Sequence, residues 1–516
     1  MTKEKKPINK KLVWAFIILF AGNLLFFMTL WLVNKYDNVL LDQILFQLKS
    51  PSVGANKNLL VSAYIRVGGL GILTTVIEIL LYIVLSGTLK GKWSKFERYV
   101  KYTSTKVCVF FKNVALPFAL ATLLVAVTFF VARLKVGSYL VTTSTNSDFI
   151  EANYVNPQTA TITFPKEKRN LIYIFLESME NTYWDTSAGG GITENFMPEL
   201  YSLAQNNINF SANNGVGGAL SFTGTTWTSA GMVSQTSGMM IKVPIESPGY
   251  GTEGQTFLSG ATTIGEILAK EGYNQTLLVG SDADFGGRKT YFTEHGNYNI
   301  VDINSLKAEG RLPEDYREWW GFEDKKVFAF AKEEITKLYE KGAPFNFTVL
   351  TSDTHFPDGY ICEDCQDKYE EQYSNVISCS SRQVYEFVNW IKAQPFYENT
   401  TIVISGDHLT MDPEYLKDID ENYTRTVYNC IINSAVKPVQ EKNRSFGTFD
   451  MFPTTLAALG VQINGERLGL GTNLFSSLPT LTEKYGFEML DKEIQKKSVF
   501  YNTEILEMEQ IGVDKS

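Results

Sequence analysis

The sequence predicts an α/β domain, with a mostly parallel sheet flanked by helices, placed after a bundle of three transmembrane helices. Three observations carry this. Long apolar runs crowd the first 131 residues, whereas five short β-rich runs recur beyond residue 170, separated by stretches of helical periodicity. Such an alternation is the signature of parallel strands covered by helices. Polar residues with metal-binding side chains directly follow two of those runs, where open α/β sheets place their ligands.

The membrane part is justified by length and charge. Leu12 to Val33 carries no charged residue, and about 20 apolar residues suffice to cross a hydrocarbon core. Further spans are expected at about 67–89 and 114–131, giving a transmembrane region over residues 1–134. Glu78 lies inside the second span; a carboxyl facing a neighbouring helix accounts for it without a functional role. Lys3, Lys5, Lys6, Lys10 and Lys11 precede the first span, and Lys90, Lys92, Lys95, Arg98, Lys101, Lys106 and Lys112 fill the loop before the third. By the positive-inside rule both segments are cytoplasmic, which puts everything after the third span outside. No small-residue cleavage site follows the first apolar run, so it reads as an anchor and not as a signal peptide. The expected location is a bacterial cytoplasmic membrane, with the soluble part extracytoplasmic.

A formal net charge of -9 argues against nucleic acid as a partner, because phosphate backbones require clustered Lys and Arg. Five cysteines, Cys108, Cys362, Cys365, Cys379 and Cys430, are too few for a dense disulfide scaffold. Residues 135–169 show little periodicity and read as a linker, residues 170–480 as the soluble domain, and residues 481–516 as a C-terminal tail.

Within the soluble part, strands are expected at 171–177, 276–280, 345–351, 400–405 and 426–432. Amphipathic helices are expected at Lys326–Glu340 and Ser381–Ala393. Glu177 follows the first strand, and Asp407 and His408 follow the fourth. Two carboxylates and an imidazole make a hard, oxygen-rich donor set suited to a divalent ion such as Mn²⁺ or Mg²⁺, with Zn²⁺ a poorer match. Either motif alone reads equally well as a helix cap or a turn; together they point to a metal.

The glycine-rich segment from Gly215 to Gly238 supplies hydroxyls in a loop that enters a helix, and Thr226 and Thr228 are the candidate nucleophiles. A hydroxyl at a helix N-terminus is placed to hold a phosphoryl group against backbone N–H donors. A bound cation would lower its pKa. His355 follows the third strand and suits contact with a phosphate oxygen or protonation of a leaving alkoxide. Arg288, flanked by glycines, suits a phosphate clamp.

These residues carry a resemblance. The segments NLIYIFLESMENTYWD, SFTGTTWTSAGMVSQ, TSDTHFPDG and VISGDHLTM together resemble the sulfatase-like phosphoglycerol transferases of the alkaline phosphatase superfamily, with lipoteichoic acid synthases as more distant relatives. The resemblance covers roughly residues 165–475. It implies one Mn²⁺-type site formed by Glu177, Thr228, Asp407 and His408, with Thr228 as nucleophile and Thr226 as the alternative. It also implies substrate contacts from Arg288 and His355. A tryptophan that precedes the arginine in the synthases is replaced here by Gly286.

The implied chemistry is two displacements at phosphorus. Threonine attacks phosphatidylglycerol and releases diacylglycerol, and a hydroxyl of an envelope glycan or a polyglycerol phosphate chain then takes the phosphoglycerol. A phosphoethanolamine transferase is the nearest enzymatic rival. A sulfatase would need a cysteine or serine matured to formylglycine in a Cys-x-Pro-x-Arg context, and the loop around Thr228 has neither Cys nor Pro. For Cys362, Cys365 and Cys379 a bridge from Cys379 to one of the pair is expected in an exported domain. Zinc is set aside, because spacing offers no fourth ligand.

Overall fold

The computed structural model describes residues 9–36, 40–55, 57–86 and 105–507. They form two compact units, residues 1–41 with 56–140, and residues 42–55 with 141–516. The helices that matter below are α1 (Lys10–Lys35), α2 (Leu41–Lys49), α3 (Leu59–Leu85), α4 (Asn113–Arg133), α5 (Thr228–Ser237), α6 (Arg288–Glu294), α7 (Asp324–Glu340), α8 (Gln372–Lys392) and α9 (Met451–Ala458).

In the first unit, α1, α3 and α4 are each long and apolar enough to cross a membrane. Helix α3 starts eight residues before the expected 67, because the turn at Tyr64–Gly69 carries Arg66 through the helix as a π-helical segment. A charged residue ended the apolar window without ending the helix. Glu78 faces α1, where Asn23 Nδ2 donates to its Oε2 at 2.7 Å and to Thr75 Oγ1 at 3.0 Å. A buried amide thus satisfies two polar groups of a neighbouring apolar helix. Lys3, Lys5, Lys6, Lys90, Lys92, Lys95, Arg98 and Lys101 lie outside the described residues.

The second unit is built on a seven-stranded sheet. Its strands are β1 (Asn170–Leu176), β2 (Gly218–Ala219), β3 (Asn274–Val279), β4 (Asn299–Val301), β5 (Phe345–Leu350), β6 (Thr400–Gly406) and β7 (Val427–Ile432), in the spatial order β2-β7-β6-β1-β5-β3-β4. From β6 to β4 all pairs are parallel, and β7 runs antiparallel to both β6 and β2. The mostly parallel sheet expected from the sequence is therefore present, and all five expected strands are in it. β2 and β4, at two and three residues, are too short to leave a periodic trace.

Central strand β1 pairs with β5 and β6 and is buried throughout. Successive side chains alternate between faces. Leu171, Tyr173 and Phe175 enter one core, and Ile172, Ile174 and Leu176 enter the other. A strand sandwiched in this way is apolar along its whole length, which explains why its sequence shows no alternation. Helix α8 begins at Gln372, nine residues before expected. Its first turns, YSNVISCSS, bury serines and an asparagine, and this hides the helical period.

Three segments pack differently from their sequence reading. Within 135–169, Val136–Ser144 and Phe149–Asn153 are helical, Ile150 is buried, and Ile162–Thr163 pairs antiparallel with Gln462–Ile463. Beyond residue 480, Leu481, Leu490, Ile494, Tyr501 and Ile505 are buried in the core, so this stretch packs as part of the domain. Residues 42–55, between the first two apolar helices, also belong to the second unit. Phe46 is fully buried among Trp227, Tyr250 and Phe257, and Tyr250 N donates to Lys49 O at 2.7 Å.

Candidate active site

The site forms where β1 and β6 end side by side. Leu176 pairs with Gly406, so the next residues, Glu177 and Asp407, leave the sheet together. Ser178 then adopts a left-handed φ of 53°, a conformation uncommon outside glycine, which turns the chain sharply. Ser178 N and His408 N both donate to Asp407 Oδ1, at 2.8 and 2.7 Å, and Ser178 Oγ donates to Glu177 Oε1 at 2.7 Å. These bonds fix both carboxylates before any ligand arrives.

His408 is oriented by its own backbone. Its Nδ1 lies 2.7 Å from Leu409 O, the distance of a donated N–H, which leaves Nε2 to face the carboxylates. Nε2 is 3.4 Å from Glu177 Oε1 and 3.5 Å from Asp407 Oδ2. Glu177, Asp407 and His408 each offer a ligand atom within 4.8 Å of the others, and all three are buried.

Helix α5 brings the hydroxyl. Trp227 has extended backbone, and Thr228 is the first helical residue. Thr228 Oγ1 donates to Glu177 Oε2 at 3.1 Å and lies 3.3 Å from His408 Nε2. The helix approaches closely because Gly231 carries no side chain: a Cβ there would sit 2.0 Å from Asp407 O. Gly238, at φ 68°, ends the helix in the left-handed conformation. Thr226 turns elsewhere, its hydroxyl accepting from Gln43 Nε2 at 2.8 Å. Glu177, Asp407, His408 and Thr228 therefore converge, and Thr226 does not join them.

An open cleft of about 350 Å³ faces this cluster, lined among others by Glu177, Thr228, Arg288, His355, Trp320 and Phe285. The Arg288 guanidinium is 5% exposed. Its Nε donates to Phe285 O at 3.0 Å and its Nη2 to Ser281 Oγ at 2.9 Å and Asp282 O at 3.0 Å, leaving Nη1 without a hydrogen bond among the described residues. His355 packs its ring 4.5 Å from Trp320, and its Nδ1 lies 2.7 Å from Phe356 O. Sequence reasoning missed Trp320, Ser281 and Ser352, which line the cleft; Ser352 stands in the segment TSDTHFPDG, three residues before His355. Trp320 stands on the cleft wall against Phe285, although no tryptophan occupies position 286.

The electrostatics fit a cation. Burial alone would lift the Glu177 carboxyl, but the His355 and His408 imidazoles, with hydrogen bonds from His408 and Ser178, hold it well below the carboxylate range. Asp407 is pushed upward by burial and by Glu177, against His408. Burial opposes the charged form of His408, yet Asp407 and Glu177 raise it to about 9. Protons thus balance the cluster when no cation is bound. Asp407 Oδ2 is buried and takes part in no hydrogen bond. An orphaned carboxylate oxygen beside an imidazole nitrogen that faces two carboxylates is a donor set that could hold a divalent ion.

The loop bearing Asp407 and His408 is held from behind by Glu180. Arg425 Nε and Nη2 donate to its two carboxylate oxygens at 2.9 and 2.6 Å, and Thr410 N donates to Oε2 at 2.8 Å. Arg425 also donates to Thr410 O at 2.7 Å. This fork ties the turn after β1 to the loop after β6.

Comparison with known proteins identifies the family. Residues 169–461 match the sulfatase family. Over 321 residues the chain is 32% identical to phosphoglycerol transferase I of Salmonella choleraesuis (strain SC-B67) and, to the same degree, of Escherichia fergusonii. The match takes in 61% of this chain but spans only 40% of the length of those relatives. Among solved structures, a protein of the alkaline phosphatase superfamily from Vibrio parahaemolyticus is similar with a TM-score of 0.49 and 21% identity, over 65% of this chain and 79% of that one. The lipoteichoic acid synthase LtaP from Listeria monocytogenes gives 0.47 and 17%, over 64% and 80%. The family match begins one residue before β1, ends after α9, and so encloses every residue of the cluster; the chain belongs to the sulfatase family.

Proposed function

We propose that the chain transfers phosphoglycerol from phosphatidylglycerol to a hydroxyl of an envelope glycan or a polyglycerol phosphate chain, through a covalent intermediate on Thr228. The observation that carries this is the Thr228 hydroxyl held 3.1 Å from Glu177 and 3.3 Å from His408 at the mouth of the cleft. Similarity to phosphoglycerol transferase I supports the headgroup.

Glu177, Asp407, His408 and Thr228 would hold one divalent ion, with Mn²⁺ favoured by the oxygen-rich donors, and Mg²⁺ or Zn²⁺ as alternatives. Such an ion supplies a lowered hydroxyl pKa and neutralises charge on phosphoryl oxygens. In the first displacement Thr228 Oγ1 forms a bond to phosphorus, the bond from phosphorus to the diacylglycerol oxygen breaks, and that oxygen ends with the proton that the threonine hydroxyl gives up. Arg288 Nη1 donates to the phosphoryl group. In the second, an acceptor hydroxyl oxygen forms the new P–O bond, the bond from phosphorus to Thr228 Oγ1 breaks, and the acceptor's proton ends on Oγ1, which regenerates Thr228.

His355 suits the second step. Burial lowers its pKa, and a donated Nδ1–H leaves Nε2 with its lone pair, so the ring is fitted to accept the proton of the incoming hydroxyl. Trp320 Nε1 and Ser352 Oγ are buried on the cleft wall without hydrogen-bond partners among the described residues, which supports recognition of a polyol headgroup there.

The same reading places the soluble unit outside a bacterial cytoplasmic membrane. Residues 42–55 lie between two apolar helices yet pack within the soluble unit, which supports one side of the membrane for both. Two crossings after that loop return the chain to that side, in keeping with basic residues on the opposite face.

Membranes carrying the protein should release labelled diacylglycerol from phosphatidylglycerol and not from phosphatidylethanolamine. Cleavage of phosphatidylethanolamine alone would move the assignment to phosphoethanolamine transfer.

A further inference from the structure

Some distance along the chain from the catalytic cluster, three cysteines converge. Cys362 Sγ lies 3.6 Å from Cys365 Sγ and 3.9 Å from Cys379 Sγ, and the three sulfurs all fall within 4.8 Å of one another. Cys362 and Cys379 are 5% and 3% exposed, and all three are free thiols. A disulfide requires an S–S separation of about 2.05 Å. Sulfurs on a tetrahedral zinc at about 2.3 Å stand about 3.8 Å apart, close to the two distances from Cys362.

Two further side chains complete the arrangement. Cys379 and Gln383 are one helical turn apart on α8, so they share a face. Gln383 directs its amide at the sulfurs, with Nε2 3.3 Å from Cys362 Sγ and 3.8 Å from Cys379 Sγ, while its Oε1 is buried without a hydrogen-bond partner. A half-turn of that amide exchanges the two atoms: Nε2 gives up its two contacts to sulfur, and the carbonyl oxygen turns to the cluster, where a metal ion would take it as a ligand. Arg382 Nη2 lies 3.6 Å from Cys379 Sγ. Three thiolates and a divalent cation sum to one negative charge, which this guanidinium offsets.

We propose that Cys362, Cys365 and Cys379 form a second metal site, for zinc(II), with the Gln383 carbonyl at the fourth position and Arg382 balancing charge. The sequence spacing offered no fourth ligand because Gln383 becomes one only through the pitch of α8. The site ties the loop after β5, which carries His355 near its start and Cys362 and Cys365 near its end, to that helix. Binding releases the thiol protons to solvent and involves no change of oxidation state. It stands independently of the proposed transfer reaction.

The test uses full-length protein purified in detergent under reducing conditions and loaded with zinc chloride, then freed of loose metal. Metal content by mass spectrometry should be one zinc higher in wild type than in Cys365→Ser, whose half-exposed position makes that variant the least disruptive. Glu177→Gln should retain this zinc, which separates it from any ion at the catalytic cluster. Cobalt(II) loaded into Glu177→Gln should give a sulfur-to-metal charge-transfer band that Cys365→Ser and Cys379→Ser lack. Equal zinc in wild type and Cys365→Ser overturns the proposal. So does a disulfide joining two of the three cysteines in unreduced peptides from protein never exposed to reductant.

Discussion

Gln43 Nε2 donates to Thr226 Oγ1 at 2.8 Å, joining a helix that lies between the first two apolar spans to the loop that delivers Thr228. The bond ties down the residue two positions before the proposed nucleophile. One net hydrogen bond is worth about 1 kcal/mol. Gln43→Ala should therefore slow transfer about fivefold while leaving bound metal unchanged, measured by headgroup release and metal analysis on the same preparation. Unchanged turnover would show that α2 has no part in positioning the loop.

Thr226 and Thr228 separate cleanly by this geometry. Thr228→Ala should abolish headgroup release and the covalent adduct, with stability lowered by no more than about 2 kcal/mol, because the half-buried hydroxyl gives up its contacts to Glu177 and His408. Thr226→Ala should retain measurable activity. Intact-mass analysis after incubation with phosphatidylglycerol checks both; an adduct surviving in Thr228→Ala would reassign the nucleophile.

Gly231→Ala forces a Cβ to within 2.0 Å of Asp407 O, and neither backbone can retreat without moving the donor cluster. Overpacking of this kind costs about 1–3 kcal/mol. Cation affinity should fall at least about tenfold, read by titration with Mn²⁺. Wild-type affinity in this variant would mean that α5 shifts freely relative to β6.

Truncating Arg425 leaves the Glu180 carboxylate buried and uncompensated. Breaking one side of a buried pair costs about 3–5 kcal/mol. Arg425→Met should lower the free energy of unfolding by that amount in a denaturant titration and weaken metal retention, since Thr410 and its neighbours lose their anchor. A midpoint within error of wild type would show the fork to be energetically idle.

Cation binding should strengthen as pH rises. In the metal-free cluster burial works against the charged His408, but Asp407 and Glu177 raise it to about 9, and burial and Glu177 raise Asp407, so an incoming ion must displace protons. Their raised pKa values mean that protons compete below about pH 9 and cease to compete above it. Calorimetry in buffers of different ionisation enthalpy should show protons released on binding at pH 7. An affinity flat from pH 6.5 to 9 would contradict this.

Much of this was legible in the chain itself. A nearly continuous apolar run identifies β1, because a strand buried on both faces needs apolar side chains, and runs of β-branched and aromatic residues identify β5 and β6. Glu177 and the Asp407–His408 pair stand out because they follow such runs directly. Arg66 inside α3, the polar first turns of α8 and the two-residue β2 were illegible for the converse reason: their environments depend on neighbours far away in sequence.

By itself, then, the sequence determined the elements, their order and the kinds of donor at the strand ends, since periodicity and side-chain chemistry are local properties. Tertiary structure alone decided which threonine meets the carboxylates, that residues 42–55 join the soluble unit, and that Gln383 reaches three cysteine sulfurs. Each of these is a distance between residues remote in sequence, fixed by how helices and strands pack and by nothing in the local pattern.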